Sequence, residues 1–254
     1  MLAISLLLML SLPSDASDGG YRLLELDGHK VKWGDRRLGV GARISYAFAR
    51  ETLRFDEARN CRELAPITTL VGKGLSMDAF TREAAAAFRV WEQAAGLSFY
   101  EVSDAREADI ILGTQGEPRG KAFANVSYAP DPKEGVRAID RSLVCLNPNH
   151  KWKIGFDGDE DVYDIRYTLI HEIGHAIGLD HPGPSGQVMG FRYTEAFEGL
   201  QNGDLRGIRL LYGHATDDGG PALGPETRLA QKQSEEYHAN SLTGRPEVSG
   251  TGAE

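Results

Sequence analysis

The chain has 254 residues, enough for one sizeable domain with extensions, and its 41% hydrophobic and 26% charged content is that of an ordinary soluble globular protein. A formal net charge of −9 argues against a surface built for nucleic acid or anionic membranes, so neither is expected as a partner. Solvated acidic faces account for the charge.

Residues 2–12, Leu-Ala-Ile-Ser-Leu-Leu-Leu-Met-Leu-Ser-Leu, are nearly all apolar but too few to span a bilayer as a helix. Small residues follow in Ser14-Asp15-Ala16, where a signal peptidase reads. Residues 1–16 are therefore expected to be a secretory signal cleaved after Ala16, giving an extracellular protein, or a periplasmic one in a bacterium. The usual basic stretch is missing apart from the terminal amine, and an uncleaved anchor or a mis-assigned start are the alternatives. No stable membrane span is expected.

Residues 17–42 read as a lead-in with short extended pieces around Trp33, Gly34, Gly39 and Gly41. The domain proper is placed at 43–213. Arg43 to Phe48 alternates Ile44, Tyr46 and Phe48 with small or polar residues, the two-residue period of a strand. A polar connection over 50–75, with Cys61 and Pro66, leads into a long helix. Ser76 is its N-cap, Asp78 suits the first turn, Gly96 marks the end, and Phe80, Ala84, Phe88, Trp91 and Ala95 form the apolar face. Strands follow over 97–102 and 108–112, the latter continuously apolar as in a buried strand, then an edge strand over 122–128 and a short fifth over 143–146. The order implies a mixed α+β fold on a five-stranded sheet.

Cys61 and Cys145 are the only cysteines; in an exported chain they most simply form one disulfide, two free buried thiols being the alternative. Asp157, Asp159, Asp161 and Asp164 resemble a calcium loop, yet Val162 stands where an EF-hand needs glycine and no glutamate takes the twelfth position. Ca²⁺ binding and a solvated acidic loop, with Asp164 capping the next helix, both stay open.

Residues 171–181 read His-Glu-Ile-Gly-His-Ala-Ile-Gly-Leu-Asp-His. His171 and His175, four apart, project from one helical face and can reach a single Zn²⁺. Glu172 lies about 100° round the helix, beside the ligands, where it can take a proton from water. His181 cannot belong to the same helix, since it would lie roughly 15 Å further along the axis. The helix must stop first, and Gly178 can stop it by adopting a left-handed conformation. Three imidazoles then leave a fourth position for water, as one catalytic zinc requires. Chance co-occurrence of these five letters is on the order of 10⁻⁵ to 10⁻⁴ per chain.

With Val188-Met189-Gly190 downstream, the stretch resembles the metzincin signature, three spaced histidines followed by a methionine turn. Gly207 to Gly213 resembles the closing helix of the matrixins, the matrix-metalloproteinase-like branch. The resemblance implies a zincin-like fold with a mostly parallel five-stranded sheet, a long helix, a zinc helix, a Met-turn and a C-terminal helix. It also implies a zinc endopeptidase acting on protein or peptide substrates, here expected as a monomer. Met189 would be the floor under the ligand histidines, and the strand over 122–128 would border the cleft. Tyr193, four after Met189, matches the tyrosine walling the pocket for the residue after the scissile bond, and Arg192 stands beside it. Departures are visible. Pro182 after the third histidine is serralysin-like, Phe191 stands where serralysins and astacins have a zinc-reaching tyrosine, and Gly203-Asp204 replaces the matrixin aspartate pair. A Pro-Arg-Cys-Gly latency switch is absent. A non-catalytic zinc-binding domain and an exopeptidase are the alternative functions, and the retained Glu172 speaks against the first.

From His214 to Glu254, seven acids against three bases and few large apolar side chains imply disorder, because too little surface can be buried to offset ordering.

Overall fold

The computed structural model describes residues 20–216, apart from 73–74, 118, 131–134 and 184–185. The expected signal segment, residues 1–16, lies outside the described residues, as does the expected acidic tail from residue 217 onward. No described helix is long and apolar enough to cross a membrane.

A seven-stranded sheet centres the fold, and its central strand is buried on both faces. Its strands are β1 (Glu25–Leu26), β2 (His29–Lys32), β3 (Ala42–Phe48), β4 (Leu97–Glu101), β5 (Ile110–Thr114), β6 (Ala122–Tyr128) and β7 (Arg137–Leu146). They run in the order β1-β2-β7-β5-β3-β4, with β6 pairing separately with β7. The pairs β2–β7, β5–β7, β3–β5 and β3–β4 are parallel; β6–β7 and β1–β2 are antiparallel. The sheet is thus mixed and mostly parallel.

The five expected strands are all present, with two corrections. β7 begins at Arg137, six residues before the expected 143, because Arg137, Asp140 and Arg141 mask its alternation. The sheet has seven strands rather than five, since β1 and β2 from the stretch read as a lead-in join it. Their polar letters pair only once β7 offers an edge, Val31 and Lys32 aligning with Arg137 and Ala138. Val31 and Trp33 are buried in the main core.

Successive residues of a strand face opposite layers. Ile110, Leu112, Val144 and Leu146 join the main core with the helices, while Ile111, Leu143 and Cys145 face a second cluster under residues 49–64. There Cys61 and Cys145 form a disulfide at a sequence separation of 84. Closing so long a loop is worth about 4–5 kcal/mol in the chain-entropy model.

Helix α1 (Met77–Ala94) starts at Ser76, whose hydroxyl accepts the Ala79 N–H at 3.1 Å, and buries Phe80, Ala84, Phe88 and Trp91. It ends through extended Ala95 rather than through a left-handed Gly96. Helix α2 (Ile165–Ala176) is capped by Asp164, which accepts the Tyr167 N–H at 2.7 Å. Trp91 of α1 donates its indole N–H to the Ile170 carbonyl at 3.0 Å, fixing the two helices together. Helix α3 (Asn202–Tyr212) closes the core with Ile208, Leu211 and Tyr212.

Candidate active site

Helix α2 projects His171 and His175 from one face and then ends. Gly178 takes φ +101°, where a Cβ would collide with the Val31 carbonyl oxygen. Glycine is needed for both reasons. The last carbonyls of α2 are met from four directions. Trp33 Nε1 and Ser142 Oγ donate to Ala176 O at 2.9 Å, Tyr212 Oη to Ile177 O at 2.8 Å, and Leu24 N to Gly178 O at 2.8 Å. The turn that delivers His181 is therefore held by the N-terminal strands, β7 and α3. Leu179 and Asp180 complete it by pairing with Arg22 and Leu23.

The three imidazoles converge. Nε2 of His171 lies 3.1 Å from that of His181, and Nε2 of His175 lies 3.2 Å from both. These contacts are not hydrogen bonds between His171 and His175. Nδ1 of His171 sits 2.7 Å from the Val188 carbonyl and Nδ1 of His175 sits 2.8 Å from the Leu179 carbonyl. Only N–H can face a carbonyl, so in both neutral rings Nε2 carries a lone pair. Lone pairs this close repel unless a cation shares them. Tetrahedral zinc with bonds of ~2.0–2.1 Å needs nitrogens roughly 3.3 Å apart, close to the spacing seen. Burial lowers all three histidine pKa values, that of His175 to about 4, so the rings are neutral as ligands must be.

Among the described residues this is the one group of three or more potential ligand side chains that could hold a metal. The acidic run before α2 does not converge. Asp157 Oδ1 accepts the Asp159 N–H at 3.0 Å, Asp159 Oδ1 the Asp161 N–H at 3.1 Å, and Asp164 caps the helix.

Glu172 is buried beside the triad at 6% exposure, and that burial raises its carboxyl to about 8 against the opposing pull of Lys121. Met189 packs directly on Gly174, under the histidines, so tightly that a Cβ on Gly174 would overlap its sulfur. The Val188-Met189 turn is held by Asp204. Its buried carboxylate accepts the Val188 N–H at 2.9 Å, the Met189 N–H at 3.1 Å and the Gln201 N–H at 2.8 Å. A chain of contacts thus runs from α3 through the turn to the His171 ring. Sequence reasoning saw Asp204 only as half of an incomplete pair and missed this role. The other half, Gly203, has the Gly20 carbonyl where a side chain would stand.

A cleft of about 1420 Å³ runs past the triad, bordered by β6 and lined on the far side by Tyr193, Arg192 and Phe191. The Tyr193 hydroxyl accepts the Asp164 N–H at 2.9 Å and donates to Glu195 at 2.8 Å, which anchors that wall to the start of α2. Phe191 is 75% exposed, its ring centroid 5.2 Å from that of His181. Arg192 is exposed. Cys61 and Cys145 lie behind the sheet, in the second apolar cluster.

Comparison with known proteins gives a match to the Matrixin family over residues 67–213. The chain is 29% identical over 142 residues to karilysin of Tannerella forsythia, covering 54% of this chain and 29% of that protein. It is 29% identical over 204 residues to Metalloendoproteinase 5-MMP of Arabidopsis thaliana, covering 75% and 48% respectively. Against human Matrix metalloproteinase-15 it is 34% identical over 161 residues, 58% of this chain and 23% of that protein. The chain thus spans less than half the length of these relatives.

Proposed function

The chain belongs to the matrixin family, and from that membership we propose that it is a secreted, monomeric zinc endopeptidase acting on protein or peptide substrates. The observation that carries the reading is the convergence of three imidazole nitrogens within 3.2 Å, with two of the rings oriented by backbone carbonyls so that their lone pairs face inward. His171, His175 and His181 would hold the zinc, which when bound supplies a Lewis acid that polarises a carbonyl and acidifies water.

Glu172 does the proton work. Its buried carboxylate takes a proton from the attacking water and passes it to the departing amine nitrogen. Burial beside the three imidazoles supports that role, since it holds the carboxyl against the reacting groups and away from bulk water. Asp204 and the Val188 carbonyl keep the His171 ring in one tautomer and orientation. The extended peptide lies along β6, pairing main chain to main chain, with side chains entering pockets in the cleft. Tyr193 walls the pocket for the residue after the scissile bond, and Arg192 stands at its outer side. The cleft reaches from Leu24 and Tyr128 past the triad to Tyr193, which supports cutting within a chain rather than at its end.

The test is an internally quenched peptide blocked at both termini. Zinc-loaded protein is expected to cleave it, a chelator to stop the reaction, and zinc to restore it. Absence of cleavage by protein shown to contain one zinc would overturn the reading.

A further inference from the structure

Lys121 immediately precedes β6 and stands across the cleft from Tyr193. Its Nζ lies 4.6 Å from the centroid of the Tyr163 ring and 5.2 Å from that of Tyr193. The side chain is half-buried and, among the described residues, its ammonium meets no carboxylate within 4 Å and no hydrogen-bond acceptor. Lys153, by contrast, is paired with both Asp157 and Glu195. Burial lowers the Lys121 pKa, and the more distant carboxylates of Glu172 and Glu160 raise it. Those two acids are the carboxyl groups that face it across the cleft, one committed to the proton transfer and the other exposed at the rim.

Lys121, Tyr163 and Tyr193 all line this cleft, so the ammonium is open to a group entering it. A purely apolar side chain entering here would leave the ammonium without a hydrogen-bond acceptor, whereas a carboxylate accepts from it. Sites built with polar donors discriminate strongly against substrates that cannot meet them.

Resting on the peptidase reading above, we infer that Lys121 is a specificity-determining residue that selects an acidic side chain, glutamate above all, immediately after the scissile bond. Glutamate has the longer reach, and the neighbouring tyrosine faces hold the ammonium in place to receive it.

The experiment uses the full chain loaded with zinc and doubly blocked quenched peptides differing only at that position, Glu or its neutral isostere Gln. Wild type is expected to prefer Glu by about tenfold or more in kcat/KM, the usual scale for a hydrogen bond to a charged group. Lys121→Met should bring the ratio near one, and Lys121→Glu should reverse it. Because the ratio is read within each variant, any loss of folded protein cancels. The same ratio is read without turnover by calorimetric binding of the two peptides to zinc-loaded Glu172→Ala, with and without Lys121→Met. A wild-type ratio near one, or one that Lys121→Met leaves unchanged, overturns the inference. Binding that prefers Glu through Lys121 in a protein that cuts neither peptide would uphold it and sink the peptidase reading instead.

Discussion

Two polar clusters, one around Lys32 and one around the three histidines, are both tied to the C-terminal end of α2 and are built on opposite principles. Around Lys32, which is 0% exposed, every donor is answered. Its ammonium donates to the carbonyls of Trp33 at 3.0 Å, Val40 at 3.1 Å and Asp35, and lies 4.8 Å from the centre of the Tyr212 ring. Around the histidines, acceptors of His171 and His175 point at one another with no donor between them. A closed polar cluster fixes structure, and a partly exposed one whose acceptors are unanswered marks where a ligand belongs. The two are coupled, because Tyr212 accepts the Trp33 N–H at 2.9 Å and donates to Ile177, two residues beyond His175.

The largest expected effect separates proton chemistry from both clusters. Glu172→Ala should keep its zinc and its melting temperature but lose activity towards the upper end of the ~10²–10⁴ that a general base supplies. Near wild-type cleavage by a variant verified to hold zinc would defeat the mechanism. His181→Ala breaks the open cluster itself. Zinc affinity, read by competition with a coloured chelator, should fall by more than the ~100-fold typical of losing an outer partner of a ligand. Retention of wild-type affinity would show that His181 is not a ligand.

Lys32→Met breaks the closed cluster while keeping its bulk. Three buried carbonyls lose their donor, so stability in denaturant titrations should fall by ~2–4 kcal/mol, with one zinc still bound by the folded protein. The pH dependence sharpens this. Burial lowers Lys32 to about 8 from the ordinary 10.5, so between those values the unfolded chain binds more protons than the folded one. Stability from Lys32 should therefore rise as pH climbs through that window, and Lys32→Met should lack the rise; an identical slope in both proteins would refute it. Smaller still, Tyr212→Phe removes one hydroxyl that bridges the clusters and should cost ~1–2 kcal/mol in the same titration. Smallest is Arg192→Ala. This side chain is exposed, and cleavage-site preferences in a peptide library should match wild type; a changed preference would give Arg192 a share of the pocket.

Much of the chemistry lies in short range and was therefore legible. The spacing of His171, Glu172 and His175 needs only a helix, and Gly178 needs only the rule that glycine tolerates positive φ. The face of α1 from Phe80 to Trp91 follows from a 3.6-residue period, and the buried strand over Ile110 to Leu112 from an unbroken apolar run. β1 and β2 were less legible because His29, Lys30 and Lys32 carry no apolar alternation; their strand character is conferred by pairing with β7.

What the letters alone determined is the candidate ligand set, its helix and the break before the third histidine, because these depend on neighbours within eleven residues. What only the tertiary structure decided is everything that orients that set. Val188 turns the His171 ring, Asp204 holds the turn from α3, Trp33 and Tyr212 clasp the end of α2, and Lys121 faces Tyr193 across the cleft. Each of these contacts joins residues distant in sequence, such as Trp33 and Tyr212, 179 positions apart. Hydrogen bonds and packing act over a few ångströms of space, and no local pattern records which distant residue folding will bring there.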